Sequence, residues 1–485
     1  MNAQRVARAD LVGRLPAARD VDDAALAGAV ASGARLLILD DDPTGTQTVR
    51  DVPVVTRWTV DDLEWALGTG APGVFVSTNS RSLPGPQAAT VQRAVLRAAR
   101  EAAARAGVDY VVCSRGDSTL RGHFDVETAA IADELAAGEG WPTDAVVLVP
   151  AYVDAGRITV EGTHYAAEGD DLVPVGQTPY ARDATFGYCS SDLPSWVEEV
   201  TAGRVRHDDV VTLTVAALRR DGAAAVGDAL ARVPHGGVLA VDAVDDGDLR
   251  VAALGLLQAE ARGARLVYRV GPSFVRARLA QRPHPALSDD ELRAVVARGA
   301  APGRAAHGLI VVGSHVPMTT RQLARLRATR PVHDVELDVA ALLAAPSPEA
   351  AVASSVSRAA AALADGPVVL STSRTLVEGG DGEASLEIAR RVSAAVVAAV
   401  RGIVAAEQPA YVVAKGGITS SDVASKALGV VRATVEGTLL PGIVSVWRAL
   451  DGAAVGLPYV VFAGNVGDED GLATVVGRLE RAAGD

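Results

Sequence analysis

What most constrains the fold is a recurrence of short apolar runs, roughly four to eight residues each, every one followed by a polar or glycine-containing turn. In the first half of the chain they fall at Arg35–Leu39, Gly73–Val76, Tyr110–Cys113 and Ala145–Val149. Runs this short, with no polar alternation, read as strands buried on both faces. Between the second and third, Pro86–Ala106 carries Ala, Arg, Leu and Val at helical spacing, follows Pro84 and closes at Gly107, which predicts a helix. The pattern resumes with a strand at Gly237–Val241, a helix over Asp248–Ala261 and a strand at Arg265–Val270. Strand and helix in alternation predict an α/β domain over residues 1–280.

Residues 281–307 hold Pro283, Pro285 and Pro302 around a short acidic helical patch and read as a linker region. Beyond it, Gly308–Val312, Pro367–Leu370, Ala410–Val413 and Pro458–Phe462 are again strand-like, with helices around Thr320, Pro348 and Leu386. The expected architecture is two α/β domains with mainly parallel sheets, the second over 308–485. In such sheets the chemistry sits in loops at the carboxyl ends of the strands.

Length and composition exclude several classes. A chain of 485 residues exceeds what one core supports. Fifty-nine acidic against 46 basic residues, a net charge of −13, and no basic run argue against a nucleic-acid partner. Cys113 and Cys189, the two cysteines, cannot build a disulfide scaffold or a four-cysteine zinc site and fit a reducing compartment. No apolar run approaches the ~18 residues of a membrane span. Met1–Asp20 scatters Arg and Asp where a secretory signal needs a continuous apolar core. The expectation is a cytoplasmic protein with no membrane partner, with homo-oligomer formation left open. The eight histidines are dispersed without H-E-x-x-H or Cys/His pairing, so no metal ligand is assigned.

Two rare residue types stand out. Lysine occurs only at Lys415 and Lys426, and asparagine only at Asn2, Asn79 and Asn465. In a chain that uses Arg almost everywhere, a retained Lys points to a need for a compact, rotatable ammonium that a planar guanidinium cannot imitate.

The loops after the strands hold the polar chemistry. The first strand runs into Asp40, Asp41, Asp42, Pro43, Thr44 and Gly45, where adjacent carboxylates can orient hydroxyls, accept a proton or hold a metal. The second gives Ser77, Thr78, Asn79, Ser80, Arg81 and Ser82, and the third runs from Ser114 through Arg115, Gly116, Asp117, Ser118, Thr119 and Arg121 to His123. Arg81, Arg115 and Arg121 are expected to converge on a small carboxylate, since guanidinium forks match it bidentately, with Asp117 orienting one of them. In the second domain, Lys415, Gly416, Gly417, Thr419 and Ser420 follow a strand and open a helix, and Gly464, Asn465 and Gly467 follow the last strand. Amides and hydroxyls there can cradle phosphate, with Lys415 or Lys426 adding charge. No G-x-x-x-x-G-K-[ST] and no G-x-S-x-G occurs.

Asp41–Gly45 resembles the DDxTG motif of the four-carbon acid sugar kinase family, and Asp117–Gly122 its DSTLRG motif. Ser77–Leu83, Val149–Tyr165 with Gly162 and Thr163, and Ser273 after a strand are similar to the sugar-acid domain and its exit. Gly417–Ser421 stands in the place of the nucleotide domain's GGETSG-like loop and Gly464–Gly467 in that of its GNFG-like loop. Ile418 replaces the Glu of many relatives, Ser421 a Gly and Arg115 a usual Lys, while extra sequence before Ala34 and around Tyr180–Val200 indicates a longer subgroup.

The resemblance implies an ATP-dependent kinase, with Mg2+, that phosphorylates threonate, erythronate or an oxo-tetronate at O4 in an active site in the cleft between the domains. It implies Thr44, Asn79, Ser80, Arg81, Arg115, Asp117, Ser118 and Arg121 around the acid. Ser273, Lys415, Gly416, Gly417, Thr419, Ser420, Gly464, Asn465 and Gly467 would surround ATP. Asp42, ahead of Asp41, is the expected base for the terminal hydroxyl, because a primary alcohol is a poor nucleophile at neutral pH. A rival reading takes Asp40, Asp42 and Thr44 as the D-x-D-x-T of a haloacid-dehalogenase-like phosphatase, with Asp40 as nucleophile and Ser77 or Thr78 as the second hydroxyl. It lacks the supporting Lys, since none precedes Lys415. A non-catalytic sugar-acid sensor would not need the second domain's glycine-rich loops.

Overall fold

The computed structural model describes residues 5–19, 21–299, 303–374, 377 and 382–484. Asn2, Asp20 and Pro302 lie outside them. The chain divides into two compact units, Met1–Pro283 and His284–Asp485.

The first unit is built on an eight-stranded, wholly parallel sheet. Its spatial order is Val210–Leu213, Gly237–Val241, Ala145–Val149, Leu266–Val270, Tyr110–Arg115, Arg35–Asp40, Gly73–Ser77, Val52–Val55. The central strands are buried along their length, which is why they read as unbroken apolar runs. On one face, Leu37, Leu39, Val74, Val76, Val112 and Leu148 pack with Val95, Leu96 and Ala99 of the helix Gly85–Ala106 and with Ile131 of Phe124–Glu139. Gly107 ends the former helix in the left-handed conformation, as its sequence position implied.

Several strands outrun the apolar stretches that announced them. Tyr110–Arg115 continues through Ser114 and Arg115 because the backbone ladder to Arg269 and Val270 continues, whatever the side chains are. The helix Asp246–Ala261 begins two residues before the expected Asp248, since Asp245 caps it by accepting from the Asp248 amide. A small antiparallel sheet absent from the sequence reading pairs Val6–Ala7, Asp171–Pro174, Thr163–Glu168 and Arg157–Val160 in that order. Ile158, Val160 and Leu172 form its own core with Val215 and Val244.

The second unit orders its strands Arg432–Leu440, Val444–Ala449, Pro458–Phe462, Val412–Lys415, Leu309–Val312, Val368–Thr372, His333–Leu337. The first two pairings are antiparallel and the rest parallel. The stretch expected as a linker carries the helix Asp289–Gly299, and Leu287, Leu292, Val295 and Val296 sit in the second unit's core with Val413, Val460 and Leu472. Those four apolar residues are spaced to bury one face, a stronger signal than the surrounding prolines.

Candidate functional site

Each unit has one point where successive crossovers leave in opposite directions, and there the carboxyl ends of two strands open a crevice. In the first unit it lies between Arg35–Asp40 and Tyr110–Arg115: the chain runs from the former toward Gly73–Ser77 and returns on the other side through the latter. The acidic loop after Asp40 and the loop after Arg115 are therefore neighbours.

The three expected arginines do converge there, but on the protein's own carboxylates. Arg81 clamps Asp41 with two bonds, Nη2 to Oδ1 at 2.6 Å and Nε to Oδ2 at 3.1 Å, and reaches Asp42 Oδ2 through Nη1 at 3.2 Å. Arg115 Nε lies 2.5 Å from Asp40 Oδ1, and its Nη2 donates to the Asp42 carbonyl at 2.9 Å. Arg121 Nε donates to Asp117 Oδ2 at 2.7 Å, and its Nη1 is 3.6 Å from Asp183. Arg115 is buried and presents no free fork. Gly45 makes the packing possible: a Cβ there would stand 2.0 Å from Arg115 Nη2 and 2.1 Å from Asp40 Oδ2.

Burial followed by the repulsion of Asp41 and Asp42, against the pull of Arg115, raises the Asp40 carboxyl to about 7. Asp42 is also penalised by burial, yet Arg81, Arg115 and the Thr44 hydroxyl and amide outweigh that and hold it below the usual carboxylate range. Asp117 is held low in the same way by Arg81 and Arg121. Among the three adjacent acids, Asp42 alone has an accessible side chain, 23% exposed against 1% for Asp41 and 2% for Asp40.

A buried network missing from the sequence reading supports this cluster. Glu127 Oε1 accepts from Ser80 Oγ at 2.5 Å and Gln92 Nε2 at 3.1 Å, while Oε2 accepts from Ser114 Oγ at 3.2 Å and Arg269 Nη1 at 2.6 Å. Arg269 Nη2 also comes within 3.9 Å of Asp41 Oδ2. One carboxylate thus ties together the ends of two strands and a helix, and the Ser80 hydroxyl expected at the substrate is spent inside. Asn79 adopts the left-handed conformation at φ 51°, which short amide side chains tolerate and which gives its retention a structural reason.

The small sheet buttresses the third loop. His164, buried and pushed down to about 4 mainly by burial, is neutral; its Nε2–H faces the Ser118 carbonyl at 2.7 Å and its Nδ1 the Thr159 hydroxyl at 2.8 Å. Tyr188 donates to the Thr119 carbonyl at 2.6 Å. Arg121 and Arg157 both lie over the Tyr180 ring, at 5.4 and 5.9 Å from its centroid. Ser273, expected near the nucleotide, is buried in the first unit, where it donates to Asp154 Oδ2 at 2.9 Å and accepts from the Val153 amide at 3.0 Å.

In the second unit the switch point lies between Leu309–Val312 and Val412–Lys415. It joins the expected loop after Lys415 to Gly313, Ser314 and His315, which strand order alone brings beside it. Lys415 is fully buried: Nζ donates to the Ala463 carbonyl at 2.6 Å and sits 3.7 Å from the Phe462 ring centroid, and burial pulls it down to about 7. Gly416, at φ 124°, turns the chain into the helix Gly417–Asp422 while its amide donates to the Phe462 carbonyl at 2.8 Å. Ser420 is buried with its hydroxyl on the Ala414 carbonyl, whereas Gly417 and Thr419 are half-buried and Asn465 is exposed. Gly464 packs against Ser314, and Gln322 Nε2 pins the Gly467 turn through the Val466 and Asp468 carbonyls at 3.1 and 2.6 Å. Lys426 is surface-exposed and paired with Asp422 at 2.7 Å.

Arg374 was also missed. Its Nη2 donates to the Ser314 carbonyl at 2.6 Å and to Thr320 Oγ1 at 2.8 Å, while Nε and Nη1 find no hydrogen-bond partner among the described residues. It leaves a guanidinium without a carboxylate beside the Gly313–His315 loop.

Residues 36–278 match a sugar-binding N-terminal domain and residues 309–472 a nucleotide-binding C-terminal domain. Two solved structures share the fold. One is a Salmonella typhimurium LT2 protein provisionally called a tRNA synthase, 21% identical, covering 92% of this chain and 99% of that one, with a TM-score of 0.64. The other is a Haemophilus influenzae protein of the DUF1537 family, 18% identical, covering 91% of this chain and 100% of that one, with a TM-score of 0.58. No curated protein matches the chain. The sugar-binding and nucleotide-binding pair is the architecture of the four-carbon acid sugar kinases, and the chain belongs to that family. No helix among the described residues is long and apolar enough to cross a membrane.

Proposed function

We propose that the protein transfers the γ-phosphoryl group of ATP to the terminal hydroxyl of a four-carbon sugar acid. The observation that carries the reading is Asp42. It is a carboxylate held ionised by Arg81 and Arg115, accessible at the switch point of a sugar-binding domain, in a chain that also has a nucleotide-binding domain. Asp42 accepts the hydroxyl proton as the oxygen attacks the phosphorus and the bond to the bridging oxygen of ADP breaks. Asp41 is clamped by Arg81 and 1% exposed, so it orients Arg81 instead of meeting substrate. Thr44, Asn79, Asp117 and Arg121 are the remaining accessible groups that order hydroxyls.

On the second unit, the amides of Gly417 and Gly464, the side chains of Thr419 and Asn465 and the cations Lys415 and Arg374 face the triphosphate, while Gly416, whose amide is held by the Phe462 carbonyl, shapes the turn. An ammonium kept buried beside only a carbonyl and a ring is poised for an anion. The family's Mg2+ has no cage here: the carboxylates at the first unit's switch point are committed to arginines, and no group of three or more His, Cys, Asp or Glu among the described residues could hold a metal. It would arrive with the triphosphate, and no step is assigned to it.

The phosphatase alternative has no support. Its nucleophile would be Asp40, which is buried, raised by that burial and locked to Arg115. Thr78, its second hydroxyl, donates to the Asp40 main-chain carbonyl at 2.8 Å.

The test is ADP release from the full chain with ATP and a panel of four-carbon aldonic and oxo acids. Turnover with at least one acid, lost in Asp42→Asn, is expected. Turnover with none, or hydrolysis of phosphate esters without ATP, would overturn the reading.

A further inference from the structure

Around the switch point of the first unit, Asp40, Asp41, Asp42, Asp117, Glu127 and Asp183 face Arg81, Arg115, Arg121 and Arg269. Six acidic groups against four guanidiniums leave no spare positive charge. An anion arriving there meets cations whose charge is already spent, and Arg115, the most central, is buried behind Gly45. A sugar acid therefore needs a further cation, one that is close by and not neutralised.

Arg157 is that residue. It opens the small antiparallel sheet and is half-buried, with its guanidinium over the same Tyr180 ring as that of Arg121. Its Nη1 donates to the Ala155 carbonyl at 2.7 Å and its Nη2 to the Tyr180 hydroxyl at 3.4 Å. Among the described residues it makes no ion pair, and its buried Nε has no hydrogen-bond partner. Asp154, three residues before it, is held by Arg276 Nη1 at 2.9 Å and by Ser273. Its charge is felt at His164, which it helps to keep neutral after burial, and at Tyr152. His164 bonds to Ser118, in the loop that carries Asp117 and Arg121. Two guanidiniums sharing one phenol ring repel each other, and the repulsion is relieved by an anion bound between them and the ring edge.

We propose that Arg157, with the Tyr180 hydroxyl, forms the subsite that binds the substrate's carboxylate, and that this subsite makes the protein select sugar acids over neutral sugars of the same length. The inference deepens the kinase reading and rests on it. Arg121, tied to Asp117 and Asp183, then borders the subsite but is not its anchor. The hydroxyl end of the acid points to Asp42 and the carboxylate to the small sheet, so the sheet's sequence sets which acids are accepted.

The test is calorimetric titration of the full chain with erythronate and threonate, and with erythritol as their uncharged counterpart, in wild type, Arg157→Met, Arg157→Lys and Tyr180→Phe. Loss of one charge-assisted anchor should weaken acid binding about 10- to 100-fold in Arg157→Met. Erythritol binding should change less than about 2-fold, so the acid-to-polyol preference collapses. Arg157→Lys should recover part of it, and Tyr180→Phe should lose less than Arg157→Met. ADP affinity, unchanged in all variants, reports that the chain is folded. If wild type binds an acid and Arg157→Met binds it equally well, or loses acid and polyol in parallel, the assignment of Arg157 is overturned while the kinase reading stands. If wild type binds neither acid and turns over neither with ATP, the kinase reading falls and this inference with it.

Discussion

Lys415 offers a test in which energy and function pull in opposite directions. Burial drags its pKa from an ordinary 10.5 to about 7. At about 1.4 kcal/mol per tenfold, that drop sets a ceiling of about 5 kcal/mol on the cost of keeping the ammonium charged in the folded chain. The Phe462 ring, 3.7 Å from Nζ, returns about 2 kcal/mol for a desolvated cation, which leaves about 3 kcal/mol. A lysine with a lower pKa folded than unfolded binds more protons when unfolded between pH 7 and 10.5. Stability therefore rises with pH across that window; the cost is full below pH 7 and gone above 10.5. Lys415→Met keeps the length and removes the charge, so it should stabilise the protein by about 3 kcal/mol at pH 7, a gain that shrinks toward zero near pH 10. The same variant should lose ADP affinity about 100-fold, because the cation awaiting phosphate is gone.

The chain's chemistry makes the titration readable. With lysine only at positions 415 and 426, selective carbon-13 labelling at Cε yields two resonances, and Lys415→Met identifies one by deleting it. The Lys415 signal should titrate well below 10.5 in the free protein and move upward when ADP binds. A signal that titrates near 10.5 without ligand, or a Met variant no more stable than wild type at pH 7, would refute the reasoning that a costly buried ammonium is kept for a phosphate.

Gly45→Ala should abolish acid binding and destabilise by more than about 3 kcal/mol, since its Cβ would collide with the Asp40–Arg115 pair, whereas Gly68→Ala, with nothing within 4 Å, should stabilise its helix by up to about 1 kcal/mol in denaturant unfolding. Glu127→Gln should cost about 3 kcal/mol and speed hydrogen exchange in the Ser114–Arg121 loop, because it leaves Arg269 without its main counter-charge; exchange unchanged there would show that the network does not hold the loop. Asp40→Asn should remove a stability loss that wild type shows as pH rises from about 4 to about 7, the window between an ordinary carboxyl and the raised one, which unfolding curves across that range will detect.

Much of the scaffold is legible in the sequence because parallel strands are buried on both faces: Ala145–Val149, Gly237–Val241 and Pro458–Phe462 have the bounds that their apolar runs predict. Elements whose burial is one-sided escape. Arg157–Val160 and Thr163–Glu168 mix Arg, Thr, His and Glu into half-exposed strands, so neither the small sheet nor Arg157 stood out. The candidate residues were readable as residues, since polar loops after strands are conspicuous. Their partners were not. Nothing in the spacing of Arg81, Arg115 and Arg121 reveals that each is consumed by an aspartate, because pairing across three loops depends on the order of strands in the sheet. The same holds for Gly313–His315 and Arg374, which become part of a site only once Leu309–Val312 is known to lie beside Val412–Lys415.

The two switch points are the same piece of architecture carrying opposite electrostatics. In the first unit every guanidinium near Asp42 has a carboxylate, which builds a rigid, nearly neutral lattice of donors and acceptors suited to hydroxyls, and Arg157, beside it over the Tyr180 ring, makes no ion pair among the described residues. In the second unit Lys415 and Arg374 bond to carbonyls, a hydroxyl and a ring and form no ion pair among the described residues, which leaves their charge for a polyanion. A neutralised site binding ATP, or an uncompensated one binding a polyol, would waste the fields that each fold has stored. On the proposed reading, the cations that form no ion pair among the described residues, Arg157 beside the sugar loops and Lys415 and Arg374 beside the glycine turns, predict the salt response. Raising ionic strength should weaken ADP binding steeply, sugar-acid binding by the share of a single charge, and erythritol binding not at all. Parallel salt slopes for ADP and the acid would mean that the acid meets more than one uncompensated cation, and the neutral lattice would not be what binds it.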